Sequence, residues 1–230
     1  MGASTHVDFL APNIPIYMKR ATSPGPTAWI EAGIHGDEIA GVHAVEELLE
    51  AGLEPSRGTL FLCPVMNPPA YRAQQRCAPG GLDLNRCFPG DPTGDQREHR
   101  LAAALMTAMS DAAPDLLVTL HESKKKFHPE VQPSFGQTIV YGVQPAPAIV
   151  DAAVSKMNTT LHHPAETWAP HYFPVSTSST EVIVERLGCV GLCIETWMGF
   201  PLARRVAMHR EIVCVLLEEI GVGATFAEVP

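Results

Sequence analysis

The sequence has few basic residues, and this shortage excludes one class of partner. Lysine and arginine total 16 against 25 aspartates and glutamates in 230 residues, which gives a formal net charge of -9. The basic residues are scattered apart from the cluster Lys124–Lys126, so no basic surface of the kind that binds nucleic acid is predicted. We therefore expect a small-molecule or short-peptide ligand and no nucleic-acid partner.

The sequence also lacks long apolar runs and paired cysteine motifs. No stretch approaches the roughly 20 apolar residues of a membrane-spanning helix, and residues 1–13 lack the basic start and apolar stretch of a secretory signal peptide. The six cysteines form no CxxC pair and lie mostly inside apolar runs, as reduced core thiols do. These features predict a cytoplasmic protein with no membrane partner. They do not predict an oligomeric state.

What is present is an alternation of apolar runs and amphipathic stretches. With 46% hydrophobic residues and no shift in composition, residues 1–230 are expected to form a single domain. Partly β-branched apolar runs predict four buried strands, and helical periodicity predicts five helices between and after them. The predicted strands are 28–33, 59–65, 116–120 and 190–194, and the predicted helices are 38–52, 98–109, 146–157, 178–188 and 202–220.

This order of elements predicts the fold class. Alternating strands and helices are typical of an α/β fold, here a three-layer sandwich around a mixed, largely parallel central sheet. The proline-containing stretches 11–26, 64–69 and 129–147 are predicted to be loops.

Polar side chains follow the predicted strands at the edge where open α/β sheets bind ligands. His35, Asn67, His121 and Glu195 come after the four apolar runs, and Glu38 comes three residues after His35. Two imidazoles and one carboxylate form a His₂Glu set, which binds zinc and leaves a position for water. A further carboxylate near that water would act as a general base.

Each of these residues also has an ordinary structural explanation. Glu38 is placed to be a first-turn acid that the helix dipole favours, with Asp37 as the helix N-cap. His121 alone is more typical of a hydrogen-bonding structural histidine, and Glu195 alone of an exposed strand end. Their coincidence at one predicted sheet edge favours the metal site.

The segment 67–91 is predicted to be a long loop rich in recognition groups. A guanidinium presents a rigid fork of donors to a carboxylate or a developing oxyanion, and an asparagine amide beside it adds a neutral donor. The alternative is a salt-bridged surface loop. The residues concerned are Arg72, Arg76, Asp83, Asn85 and Arg86.

Five motifs together resemble the zinc carboxypeptidase superfamily, in its succinylglutamate desuccinylase and aspartoacylase branch. They are HGDE, NPPAYRAQQR, GLDLNRCFPGD, LVTLHES and GLCIETW, and the resemblance covers about residues 27–220. It implies a zinc-carboxypeptidase-like fold. It also implies that His35, Glu38 and His121 bind one Zn²⁺ per chain and that Glu195 is the general base.

The resemblance assigns roles within the loop as well. It implies that Asn85 and Arg86 hold a substrate carboxylate and that Arg76 polarises the scissile carbonyl. Because Arg76 lies two residues further from the Asn-Arg pair than in many relatives, Arg72 is the alternative.

The activity that this resemblance implies is zinc-dependent hydrolysis of an amide bond. The substrate would be an N-acyl amino acid or a short peptide with a free carboxylate, which leaves deacylase and carboxypeptidase both open. A catalytically silent binding module that senses a carboxylated ligand is the alternative from a different functional class.

Three departures from the family pattern carry expectations of their own. Relatives continue past the catalytic glutamate into a β-rich domain, whereas one helix and a short tail follow Glu195 here, so we expect a more open active-site mouth. Lys124–Lys126 form either a solvated turn or a basic rim for an acidic substrate. Tyr141 and Tyr172 are both candidates for the tyrosine of the carboxypeptidase site.

Overall fold

A mixed sheet of eight strands carries the fold in the computed structural model, which describes residues 4–11 and 14–226. The described strands are β1 (Ser4–Ala11), β2 (Ile14–Arg20), β3 (Thr27–Ala32), β4 (Leu53–Glu54), β5 (Thr59–Cys63), β6 (Leu116–Ser123), β7 (Thr138–Tyr141), β8 (Ala169–Tyr172), β9 (Val190–Trp197) and β10 (Thr225–Phe226). The described helices are α1 (Ile39–Glu50), α2 (Pro68–Ala73), α3 (Arg97–Ala112), α4 (Ala148–Thr159), α5 (Ser179–Leu187) and α6 (Leu202–Ile220).

The strand order places the four predicted strands side by side at the centre. The sheet runs β1-β2-β5-β3-β6-β9-β7-β8, while β4 and β10 pair separately. The central strands β5, β3, β6 and β9 are mutually parallel, and the flanking strands β2 and β7 join them antiparallel. The predicted mixed, largely parallel sheet is therefore confirmed.

Helices cover both faces of this sheet, because alternate side chains of a strand point to opposite faces. On β3, Ala28 and Ile30 pack with α1, α4 and α6, whereas Trp29 faces a second cluster that contains residues of α3 and α5. The three-layer arrangement and the five predicted helices are confirmed, with helix ends shifted by three residues or fewer. None of the helices in the described part of the chain combines the length and apolar character needed to cross a membrane.

Two of the predicted loops are wrong because they contain strands. The stretch 11–26 contains β2, although its residues 12–13 lie outside the described residues, and the stretch 129–147 contains β7. Pro15 weakens the strand pattern of β2, and β7 has only four residues among prolines. In the stretch 64–69, α2 begins at Pro68.

A buried carboxyl joins the sheet to α5. Glu31 on β3 is 1% exposed. Its Oε2 accepts a hydrogen bond from Trp29 Nε1 at 3.0 Å, and its Oε1 accepts one from the Ser179 hydroxyl at 2.8 Å. Burial raises the pKa of Glu31 to about 7, although both hydrogen bonds favour the ionised form. The folded protein therefore retains a proton here that the unfolded chain releases at lower pH.

The raised pKa of Glu31 predicts how the stability of the protein depends on pH. Because the folded pKa is the higher one, stability falls as pH rises from the ordinary carboxyl value of 4.5 to about 7. Glu31→Gln removes this titration, so the variant lacks the loss of stability that the wild type shows. The unfolding free energy of the variant minus that of the wild type should therefore be about 3 kcal/mol higher at pH 8 than at pH 4. Urea unfolding at both pH values measures the difference. Exposed Glu130→Gln is the control, and an equal pH dependence in all three proteins would contradict the assignment.

Candidate active site

The carboxyl ends of β3, β6 and β9 bring the predicted polar residues together. His35 and Glu38 lie in the turn between β3 and α1, and His121 on β6 is the register partner of Glu195 on β9. Both strands extend further than the apolar pattern predicts, so His121 and Glu195 lie within strands. Asn67 also follows a strand, but it is fully buried at the start of α2 and does not line the site cavity.

The carboxylate of Glu38 lies between two imidazoles. Its Oε1 is 2.7 Å from His35 Nδ1, and its Oε2 is 2.7 Å from His121 Nδ1. All three side chains are buried, and their potential ligand atoms lie within 4.8 Å of one another. This is a group of three donors that converge on one point, as a metal site requires.

The turn that carries His35 and Glu38 is held tightly against α2. A Cβ at Gly36 would lie 2.0 Å from the carbonyl carbon of Ala70, so only glycine fits there. The Gly36 N–H also donates to the Gln75 carbonyl at 3.0 Å. The two candidate ligands of this turn are therefore fixed relative to each other.

The structural alternatives for this turn are wrong. Glu38 itself occupies the N-cap position of α1, and neither it nor Asp37 caps the helix through its side chain. Instead, Glu122 from β6 accepts the Ala40 N–H at 2.9 Å, and its other oxygen pairs with Arg205 of α6. The Glu122 N–H donates to Glu38 Oε2 at 3.1 Å. The Glu38 carboxylate is thus free of helix capping.

Charges within the group are balanced by one another. Burial lowers the pKa of His35, but the Glu38 and Asp83 carboxylates outweigh it and raise that pKa to about 9. Burial lowers the pKa of His121 despite its contact with Glu38. Burial would raise the pKa of Glu38, yet the two imidazoles hold it well below the ordinary value. The Glu38 carboxylate thus stays ionised between the two imidazoles, and an ionised carboxylate is the form that binds a divalent cation.

Glu195 presents an oxygen without a partner. Its Oε2 is buried and has no hydrogen-bond partner within the described ranges, while its Oε1 lies 3.9 Å from Cys193 Sγ, a weak donor. Burial and the nearby Glu38 carboxylate raise the pKa of Glu195 well above its ordinary value. Since Glu195 lines the same cavity as the His-Glu-His group, this side chain is placed to exchange a proton there.

Asp83 is a component of the site to which the sequence assigned no separate role. Its Oδ1 lies 3.2 Å from His35 Nε2, and its Oδ2 accepts from Arg76 Nε and Nη2 at 3.1 and 2.9 Å. Oδ1 also accepts the Asn85 N–H at 3.0 Å, which closes a short helical turn. Aspartate side chains commonly accept a hydrogen bond from the backbone N–H two residues on, so the sequence indicates this turn. It does not indicate the contact with His35. Asp83 therefore orients a candidate metal ligand from outside the group.

Arg76 lies at the site, whereas Arg72 does not. Arg76 Nη1 is 3.3 Å from His35 Nδ1 and 3.4 Å from Glu38 Oε1. Arg72 instead lines a separate groove with Tyr17 and Tyr71. Of the two alternatives from the sequence, the structure brings Arg76 to the group.

Asn85 and Arg86 line the cavity with donors. Asn85 Oδ1 accepts the Ser179 N–H at 3.1 Å, which turns the NH₂ of the amide away from α5. Arg86 is exposed, and its Nη1 donates to the Asn85 carbonyl oxygen at 2.8 Å. The remaining guanidinium donors of Arg86 are available to an anion.

One cavity of about 560 Å³ is lined by His35, Glu38, Arg76, Asn85, Arg86, His121 and Glu195. Lys124 and Lys125 also line it, whereas Lys126 lies over the Trp197 ring, 5.9 Å from its centroid. The candidate tyrosines Tyr141 and Tyr172 are not among the lining residues; their rings pack against each other, 6.0 Å apart. The apolar part of the cavity wall consists of Pro133, Phe135, Val140, Phe173, Val175 and Met198.

Comparison with known proteins decides the family. Residues 24–196 match the model of the succinylglutamate desuccinylase/aspartoacylase catalytic domain. The chain belongs to this family. The resemblance predicted from the five motifs is confirmed, and the matched region contains His35, Glu38, His121 and Glu195.

Individual relatives of this family and fold are similar over part of their length. An N-alpha-acetyl-L-2,4-diaminobutyric acid deacetylase of Halomonas elongata is 40% identical over 97 residues, which cover 40% of this chain and 28% of that protein. The cell shape determinant Csd4 of Helicobacter pylori superposes with a TM-score of 0.82 at 20% identity, covering 94% of this chain and 57% of that one. A succinylglutamate desuccinylase of Silicibacter sp. TM1040 gives 0.69 at 24% identity, with 94% and 64% covered. The chain thus spans less than two thirds of each, and the structural likenesses confirm the fold.

Asp83 generates a prediction about metal affinity. Asp83→Asn keeps the shape of the side chain but loses the charge that orients His35, so zinc affinity should fall by about 10- to 100-fold. Titration against a chromogenic chelator measures this affinity. Asp91→Asn is the control, because Asp91 caps an exposed turn of the same loop. Equal zinc affinity in both variants and the wild type would show that Asp83 does not support metal binding by His35.

Proposed function

We propose that this member of the family is a zinc-dependent amidohydrolase that cleaves an N-acyl amino acid or a short peptide with a free carboxylate. The observation that carries the proposal is one cavity that joins a buried His-Glu-His group, the unpartnered oxygen of Glu195 and the donors of Asn85 and Arg86. We propose further that residues 1–230 form a single catalytic domain.

The donor set fits one zinc ion per chain. His35 and His121 would bind through Nδ1 and Glu38 through its carboxylate, because these atoms already converge. His-His-Glu is the ligand set of catalytic rather than closed structural zinc sites. A zinc ion held there would act as a Lewis acid that polarises a carbonyl group and acidifies water.

Glu195 is the proposed general base. Its unpartnered Oε2 would accept a proton from the attacking water and return it to the leaving nitrogen. Burial raises the pKa of Glu195, so its ionised form is a stronger base than an ordinary carboxylate, and the charge of a zinc ion held nearby would favour that ionised form. Amide hydrolysis then releases a free amine and a carboxylate.

The arginines have different proposed roles because they lie in different surroundings. Arg76 is tied to Asp83 by two hydrogen bonds beside the His-Glu-His group, where it would stabilise negative charge that develops on the scissile carbonyl. Asn85 and the exposed Arg86 would bind the substrate carboxylate before the reaction starts.

The names of the relatives support this chemistry. The family comprises a desuccinylase and an aspartoacylase, and the Halomonas relative is a deacetylase of an acetylated amino acid. Csd4 structures include a tripeptide complex, and one describes a D,L-carboxypeptidase. These activities share hydrolysis of an amide next to a carboxylate, so deacylase and carboxypeptidase both lie within the proposal.

Glu195→Gln separates binding from chemistry. The amide keeps the size of the side chain but cannot accept the proton, so zinc binding should persist while turnover falls by at least about 100-fold. Amine release from a panel of N-acyl amino acids and short peptides measures turnover, alongside zinc content.

Two outcomes would argue against the proposal. Near-normal turnover by Glu195→Gln would show that another group is the base. A zinc-loaded wild type that cleaves no member of the panel would favour a silent binding module.

A further inference from the structure

The cavity contains a carboxylate that the proposed mechanism does not use. Glu181, in the first turn of α5, lines the same cavity as Asn85, Arg86 and Glu195. Among the described residues, its carboxylate makes no hydrogen bond or ion pair, and its backbone N–H donates to the Ser178 hydroxyl. An ionisable group that is half withdrawn from water and has no partner gains most from a ligand of opposite charge.

Helix capping does not account for this side chain. Ser178 and Glu181 have the spacing of a capping box, in which the glutamate would accept the Ser178 N–H. The Ser178 N–H instead donates to the Val175 carbonyl at 2.9 Å, while the Ser178 hydroxyl accepts the Glu181 N–H at 3.2 Å. The helix thus uses the serine cap without the carboxylate.

The backbone after β7 makes room for the Glu181 carboxylate. A Cβ at Gly142 would lie 1.8 Å from Glu181 Oε1, so a side chain at that position would displace the carboxylate. The glycine therefore lets the carboxylate lie against the backbone at the cavity wall.

The cavity that Glu181 lines has an apolar wall as well as polar groups. Phe135, Val140, Phe173 and Val175 line the same space, and such a wall suits a short chain of methylene groups. The cavity thus combines donors for a carboxylate at Asn85 and Arg86, an apolar wall, and a free carboxylate. A ligand that complements all three has an anionic group, an aliphatic chain and a cationic end.

We propose that Glu181 is a specificity-determining residue that binds a side-chain ammonium group of the substrate. This inference rests on the proposed amidohydrolase function and narrows it. The substrate class is an N-acylated amino acid, or a peptide ending in one, that carries both a free carboxylate and an aliphatic ammonium side chain.

The test compares substrates that differ only in side-chain charge. With the acyl group that the substrate panel identifies, derivatives of 2,4-diaminobutyrate, ornithine and lysine are each paired with an unbranched neutral amino acid of equal side-chain length. The ammonium member of a pair should have a kcat/KM at least about 10-fold higher, as expected for a charged hydrogen bond. In Glu181→Gln this ratio should fall close to one, whereas Glu185→Gln, an exposed glutamate one turn later, should keep the wild-type ratio.

The outcomes distinguish this inference from the proposed function. Hydrolysis by the wild type without preference for the ammonium member overturns the inference and leaves the amidohydrolase in place, even if Glu181→Gln does not fold. Absence of all hydrolysis overturns the proposed function instead. In that case calorimetry can compare the binding of free lysine, which has a side-chain ammonium group, with that of norleucine, which has none, to the zinc-loaded protein. Equal affinities would overturn the role of Glu181.

Discussion

The Glu38 carboxylate between two imidazoles is the interaction on which the rest of the site depends. A buried carboxylate is costly unless charged and hydrogen-bonding partners surround it. His35 and His121 provide those partners at 2.7 Å, and they are adjacent because β3 and β6 pair in parallel. The fold therefore brings three donors to one point, and these donors satisfy one another until a cation binds.

Charges of alternating sign extend outward from this group and connect distant elements. On one side, Asp83 lies between His35 and Arg76, which ties the loop after α2 to the centre of the sheet. On the other side, Glu122 links the start of α1 to Arg205 of α6. Because each charge has a partner of opposite sign, a change at one position alters the electrostatics of the whole site. Glu181 and the Glu195 oxygen differ from this pattern, since both residues line the cavity and neither carboxylate has a charged partner among the residues that the structure describes.

Much of this arrangement was predictable from the sequence. Parallel strands end at one edge, so His35, His121 and Glu195 were predictable as neighbours once their strands were identified. Two of these strands, β6 and β9, were predicted too short, because a polar residue ends an apolar pattern although backbone pairing continues past it. Pro15 weakened the strand signal of β2 for a different reason, because proline has no backbone N–H to donate to a neighbouring strand.

The rest depends on contacts between positions that are distant in the chain. Asp83 meets a histidine 48 residues away. Glu181 has the spacing of a helix cap, and only the packing of α5 against the sheet places this residue at the cavity wall. Local patterns contain no signal for either contact.

The most direct test is a crystal structure of the zinc-loaded protein with anomalous diffraction measured at the zinc edge. We expect one zinc per chain, bound by His35 Nδ1, His121 Nδ1 and the Glu38 carboxylate at about 2 Å. Glu195 should face the ion across the cavity without binding it. Zinc bound elsewhere, or zinc that takes Glu195 as a ligand in place of Glu38, would contradict the assignment of the three ligands.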